Sequence, residues 1–130
     1  MVSILILDSN ILTLIMAYDE LLANRIREAL SEQEQVSEVK MFQGLCFMVN
    51  DKMCVCIRDQ DMLCRIGNEQ AVIALENDNC RQMVMGSRVM KDFVFVEAAD
   101  LRSAKDFDHW INLCLQFNTI AKSSKKKKNS

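Results

Sequence analysis

Six cysteines and one histidine are the residues of this 130-residue chain best suited to chemistry. Cys54 and Cys56 stand two apart in a β-rich run, so a regular strand would point both sulfurs to one face. Cys46 and Cys64 fall on the neighbouring runs. Four thiolates gathered in this way could bind zinc tetrahedrally or serve as a redox group. Structural zinc sites usually draw on C-x₂₋₄-C knuckles instead, and here the hairpin registers decide which sulfurs share a face. The plainer reading makes all six, with Cys80 and Cys114, small buried hydrophobes.

Nucleophilic catalysis has less to work with. His109 stands beside Trp110, near Asp106 and Asp108, in a helical stretch. Cys114, five residues on, lies about 140° around a helix from it, so the two do not form a Cys–His pair. The three glycines stand alone and make no phosphate cradle. The chain therefore reads as non-enzymatic, with no cofactor and no metal.

Charge narrows the choice of partners. The formal net charge is −2, but residues 1–121 hold 11 basic and 18 acidic side chains, a net of −7. The balance is made up by Lys122 and the run Lys125, Lys126, Lys127 and Lys128. A folded nucleic-acid reader presents a basic face, which this body lacks. The lysine tail is suited only to nonspecific, salt-sensitive contact with nucleic acid or another anionic surface. Residues 1–15 are apolar but lack a basic opening and a cleavage site, and Asp8 interrupts them. They are too short and too broken to span a bilayer. A cytoplasmic protein with reduced thiols and no membrane contact is the expectation.

The elements that position these residues follow from periodicity. Tyr18, Leu22, Ile26, Ala29 and Leu30, with Leu21 beside them, form the apolar stripe of a helix running to about residue 33. Short β-rich runs follow at Glu38–Phe42, Leu45–Val49, Met53–Arg58 and Met62–Ile66, with turns near Gly44, Asn50-Asp51-Lys52 and Asp59-Gln60. Gly67-Asn68 should stop the last run and cap a second helix over Glu69–Glu76. Strands at Arg81–Met85 and Asp92–Glu97 flank a loop centred on Gly86-Ser87-Arg88. A last helix opens after Ser103, and Phe107, Trp110, Ile111, Cys114 and Phe117 recur on one face. The reading is an α+β fold with one mainly antiparallel sheet and helices on a face. Its core is short of aromatics, and nine methionines fill it. The chain divides into an extension (1–15), one domain (16–121) and a disordered lysine-rich tail (122–130).

Several stretches, taken in order, resemble one family. Met16-Ala17-Tyr18-Asp19-Glu20 and Ile26-Arg27-Glu28-Ala29-Leu30 are similar to the opening helix of the N-terminal domain of the TfoX/Sxy competence regulators. Lys40-Met41-Phe42-Gln43-Gly44-Leu45-Cys46-Phe47-Met48-Val49-Asn50 resembles that family's K-x-M-F-G-G-L-x-F-M-V-N stretch. Leu63-Cys64-Arg65-Ile66-Gly67 resembles its L-x-R-V-G strand end, and Gly86-Ser87-Arg88-Val89-Met90-Lys91 its G-R-P-M-K loop. His109-Trp110 falls where the family's last helix carries a tryptophan. The likeness covers about residues 16–120. Gln43, Val89 and Asp92 depart from it, standing where glycine, proline and glycine are usual.

The resemblance implies a two-layer α-β(3)-α-β(2)-α fold similar to secretion chaperones. It also implies a bacterial, non-catalytic regulatory domain that works through a protein partner, with a transcription factor among the candidates. Full-length regulators of this kind act on DNA-uptake genes and carry a second, helical domain. The basic and apolar residues inside the family-like motifs, Lys40, Met41, Phe42, Arg65, Arg88, Met90 and Lys91, are the candidate partner-binding set. The competing reading makes Lys40 and Arg65 solvent-facing strand positions, Arg88 and Lys91 ordinary loop charges, and Phe42 a core residue. Two other functions stay open: a small zinc or thiol-redox protein using Cys46, Cys54, Cys56 and Cys64, and a chaperone-like homodimer holding a client segment.

Overall fold

The computed structural model describes residues 18–41 and 43–122. The extension 1–15, Phe42 and the lysines Lys125–Lys128 lie outside the described residues. Among those described, the order is α1 (Glu20–Ala29), β1 (Val36–Met41), β2 (Gly44–Val49), β3 (Lys52–Arg58), β4 (Asp61–Arg65), α2 (Asn68–Ala74), β5 (Cys80–Met85), β6 (Arg88–Val96), a 3₁₀ turn (Ala98–Leu101) and α3 (Ala104–Asn118). All six strands form one antiparallel sheet in the order β1-β2-β3-β4-β6-β5. The α+β reading is correct, but four strands precede α2 where the family likeness implied three. The first, β1, is an edge strand whose side chains are almost all exposed.

The helix termini show why these segments stop where they do. Asp19 caps α1, its carboxylate accepting from the backbone N–H of Leu21 (2.8 Å) and Leu22 (3.3 Å). Leu21, expected on the apolar stripe, points into solvent at 76% exposure, and α1 ends at Ala29 rather than near residue 33. Ser103 caps α3 by accepting from the Asp106 N–H at 3.0 Å. On α3, Phe107, Trp110, Ile111 and Cys114 are buried as expected, but the next inward position belongs to Asn118, not Phe117. The Asn118 side-chain amide donates to the carbonyl of Val49 at 3.1 Å and its oxygen accepts from the Asn50 amide at 3.5 Å, while the Asn118 backbone carbonyl accepts from Lys52 at 2.8 Å. A buried amide so satisfied ties the β2–β3 hairpin to the end of α3.

The hairpin turns carry the chain's backbone constraints. Asn50 and Asp51 have φ of 55° and 64°, the pair of positive values that a two-residue type I′ turn requires. Gln43, in the β1–β2 turn, has φ of 59°. A left-handed residue with a Cβ is strained by about 1–2 kcal/mol, part of which glycine would return as unfolded-state entropy. Gln43→Gly should therefore raise stability by about 0.5–1 kcal/mol in urea unfolding. At the start of α2 the cap is Gly67 itself, not the Asn68 side chain, with φ of 87° and ψ of 156°. A Cβ there would stand 2.6 Å from the Phe117 ring. Gly67→Ala is expected to lose about 2 kcal/mol by the same measurement, through strain and the ring contact together.

Candidate functional site

Alternation along the strands gives the sheet two faces. Leu45, Phe47, Val49, Val55, Ile57, Met62, Val94 and Val96 pack under α1, α2 and α3. Cys46, Met48, Cys56, Leu63, Met83, Phe93 and Phe95 form a second buried cluster on the opposite face, with Met41, Met53 and Met90 against it.

This division decides the thiol question. The β2–β3 register shifts at Phe47/Met48, so Phe47 faces Val55 while Met48 faces Met53, and Cys54 is the extra residue of a bulge. The bulge breaks alternation. Cys54 joins Cys64 in the helix-side core, while Cys56 faces the other way. The four sulfurs proposed from sequence as one group are thus split in pairs between the two faces. Cys46 and Cys56 sit directly opposite one another, Cα atoms 4.0 Å apart, with their sulfurs paired across the two strands. On the helix side Cys114 meets Cys54 and Cys64. A hydrogen bond with Cys114 and then burial push the Cys54 thiol up, and burial pushes Cys114 well up. Burial, with Asp100 and Glu97 nearby, raises Cys80 to about 11. Thiols held protonated in this way are poor nucleophiles. His109 is exposed, its ring edge-on to Trp110 at 5.1 Å.

The basic residues are arranged more suggestively. Most of the body's arginines are spent on structure. Arg27 grips Glu38 with two 2.7 Å bonds and reaches Glu20 at 3.0 Å, and the Glu38 carboxylate lowers in response. Arg25 donates to the Leu101 carbonyl at 2.7 Å and lies 4.2 Å over the Phe107 ring. Arg81 pairs with Asp61 at 2.8 Å. The side chains of Arg88 and Lys91, by contrast, make no ion pair or hydrogen bond among the described residues.

Arg88 and Lys91 are not loop residues. The chain reverses at Gly86-Ser87, and Arg88 already pairs with Met85. The β5–β6 register then slips: Met83 faces Met90, but Gln82 faces Val94, leaving Lys91, Asp92 and Phe93 bulged out of the β5 ladder. The bulge turns to β4 instead, where the Asp92 carbonyl accepts from the N–H groups of Ile66 (2.9 Å) and Gly67 (3.0 Å). This brings Arg65 alongside. Its guanidinium lies 5.5 Å over Phe93, donates weakly to the carbonyls of Met53 (3.4 Å) and Lys122 (3.3 Å), and leaves its Nε buried without a partner. Burial pulls Arg65 below its ordinary value, while Asp92 works against that shift.

Arg65, Arg88, Lys91, Met90, Phe93 and Val89 thus line an open groove of about 580 Å³, with Asp92 its one carboxylate. Val89, Met90, Lys91 and Phe93 also border a second groove of about 370 Å³ against α2, where Val72 is 59% exposed. Four of the seven sequence-chosen residues therefore meet at one place. Lys40 and Met41 do not join them. They lie on β1, separated from β6 by three strands, and Lys40 sits opposite Leu45, exposed on the helix side. Met41 shares the second sheet face with Met90 but not the groove. Val72 and Leu75 were missed, because α2 reads from sequence as an ordinary short amphipathic helix.

Among the described residues no helix is long and apolar enough to cross a membrane. No curated protein and no solved structure shows significant similarity to the chain. A family model does: it matches residues 28–118, which hold β1 to β6, α2, α3 and the groove. The chain belongs to the TfoX N-terminal domain family.

Proposed function

We propose that this chain is a non-catalytic protein-interaction domain whose β5–β6 groove receives an acidic segment of a partner that also carries apolar side chains. The observation behind this is the groove itself. Arg88 and Lys91, free of ion pairs among the described residues, and Arg65 rim an apolar floor of Met90, Phe93 and Val89. A cationic rim on a body with net charge −7 over residues 1–121 selects its partner by charge and orients it on approach. Family membership supports a regulatory role, in which the domain works in the cytoplasm and reaches transcription through that partner rather than by touching DNA.

The test compares the intact chain with the double variant Arg88→Glu/Lys91→Glu as bait in crosslinked source cells. A specific partner should be retained by the intact chain, released by salt, and recovered at least tenfold less by the variant. An unchanged set of retained proteins would refute the reading. The domain without its lysine tail should leave labelled duplex DNA unbound at physiological salt, since its body offers no basic face.

A further inference from the structure

The second sheet face poses a question of its own. Cys46, Cys56, Leu63, Met83, Phe93, Phe95 and Met48 are each no more than 8% exposed, and Cys46 and Leu63 are at 0% and 1%. Yet α1, α2, α3 and the 3₁₀ turn all pack on the other side, and among the described residues no element lies over this face. An antiparallel sheet with one open face leaves that face to water. Neighbours on the same face shield a side chain's flanks, not its outward end. Arg58 and Arg81 lie 4.5 and 5.6 Å over Phe95, and Arg65 covers Phe93. These account for the two rings, not for Cys46 and Leu63 in mid-sheet, nor for Met48 and Met83, which are buried as well.

We infer that this face is the seat of the chain's own residues 1–17. Three features of the chain favour that occupant. Twelve of these 17 residues are apolar and one is charged, whereas residues 123–130 contain only Ser, Lys and Asn. The described chain also begins at the right place. Tyr18 pairs with Asp59, and the Asp19 N–H donates to the Asp59 carbonyl at 2.7 Å, so the described chain starts beside the β3–β4 turn. The strands meeting at that turn carry Cys56 and Leu63 on the buried face. Reach is sufficient: even at the 1.5 Å rise of a helix, 17 residues cover about 25 Å. Five strands at roughly 4.8 Å spacing extend about 20 Å.

A photo-crosslinking phenylalanine analogue placed at Leu7 or Leu12 of the full chain tests this. The crosslinks expected are within one chain and map to β2, β3, β4 or β6. Crosslinks to the helix layer overturn the inference, and so does a dimer-mass product, which would give the face to a second copy. A second measurement reads the face directly. With the protein reduced, Cys46 and Cys56 of the full-length double variant Leu7→Asp/Ile11→Asp should alkylate at least tenfold faster than in the unaltered chain. Cys54, Cys64 and Cys114, under the helices, should keep their rates. Equal rates at Cys46 and Cys56 in both proteins also overturn the inference.

Discussion

Gly44→Ala is expected to destabilise the domain by about 3 kcal/mol or more, the largest loss for any single-methyl addition to this chain. Gly44 opens β2 directly against β3, where a Cβ built on its backbone would stand 1.8 Å from the Ile57 carbonyl oxygen. The obstacle is a strand backbone, not the end of a flexible side chain, so relief requires separating two central strands. Leu45, which pairs with Ile57, and Phe47 would lose register with it. A loss of this size is a large part of the 5–15 kcal/mol that typically holds a domain together. Urea unfolding should show either a lower midpoint or a chain no longer recovered in soluble form. A midpoint within about 1 kcal/mol of the parent would mean that β2 and β3 do not approach as described. The adjacent Gln43→Gly should move the midpoint the other way, and the contrast of sign separates close approach from backbone strain.

The second large effect is on alkaline stability. Cys54, Cys80 and Cys114 all hold their protons more tightly when folded, Cys54 chiefly through Cys114 and the other two chiefly through burial. A thiol whose value is raised by folding contributes its stability fully below the unfolded value. That contribution is lost as pH rises, because the unfolded chain ionises first. The loss begins near the ordinary thiol value of 9.0 and, for Cys80, continues to about 11. Each thiol's slope rises from about 0.7 kcal/mol per pH unit at that onset towards about 1.4 above it, so the three together lose about 4 kcal/mol between pH 8 and pH 10. Urea midpoints measured from pH 8 to 10 should fall steeply beyond pH 9. Cys80→Ala should remove about a third of the slope. A midpoint flat over that range would contradict the burial of these thiols as ionisable groups.

Much of this architecture can be read from residue pattern. The period of Phe107, Trp110, Ile111 and Cys114 locates α3 and its buried face, and Asn50-Asp51 marks a turn that few other pairs would make. Bulges are what the pattern conceals. An inserted residue at Cys54 reverses the alternation that seemed to set it beside Cys56, and nothing in the C-x-C spacing announces the insertion. The slip between Gln82 and Met83 likewise turns an expected loop into the strand that carries Arg88 and Lys91. The site was half legible for the same reason. Arg65, Arg88, Met90 and Lys91 converge because β6 lies beside β4, whereas Lys40 and Met41 ride on the far edge strand. Helical period does put position 118 in line with Phe107, Ile111 and Cys114; what it does not encode is the Val49 carbonyl that an inward-facing asparagine satisfies there.

The measurement that bears most directly on the groove as a partner site is the crosslinked bait comparison with one control added. Three baits are used: the intact chain, Arg88→Glu/Lys91→Glu, and Lys105→Glu on α3, away from the groove. One partner recovered with the intact chain and the α3 variant, and lost with the groove variant, is the predicted result. Equal recovery by all three baits would contradict a role for the groove.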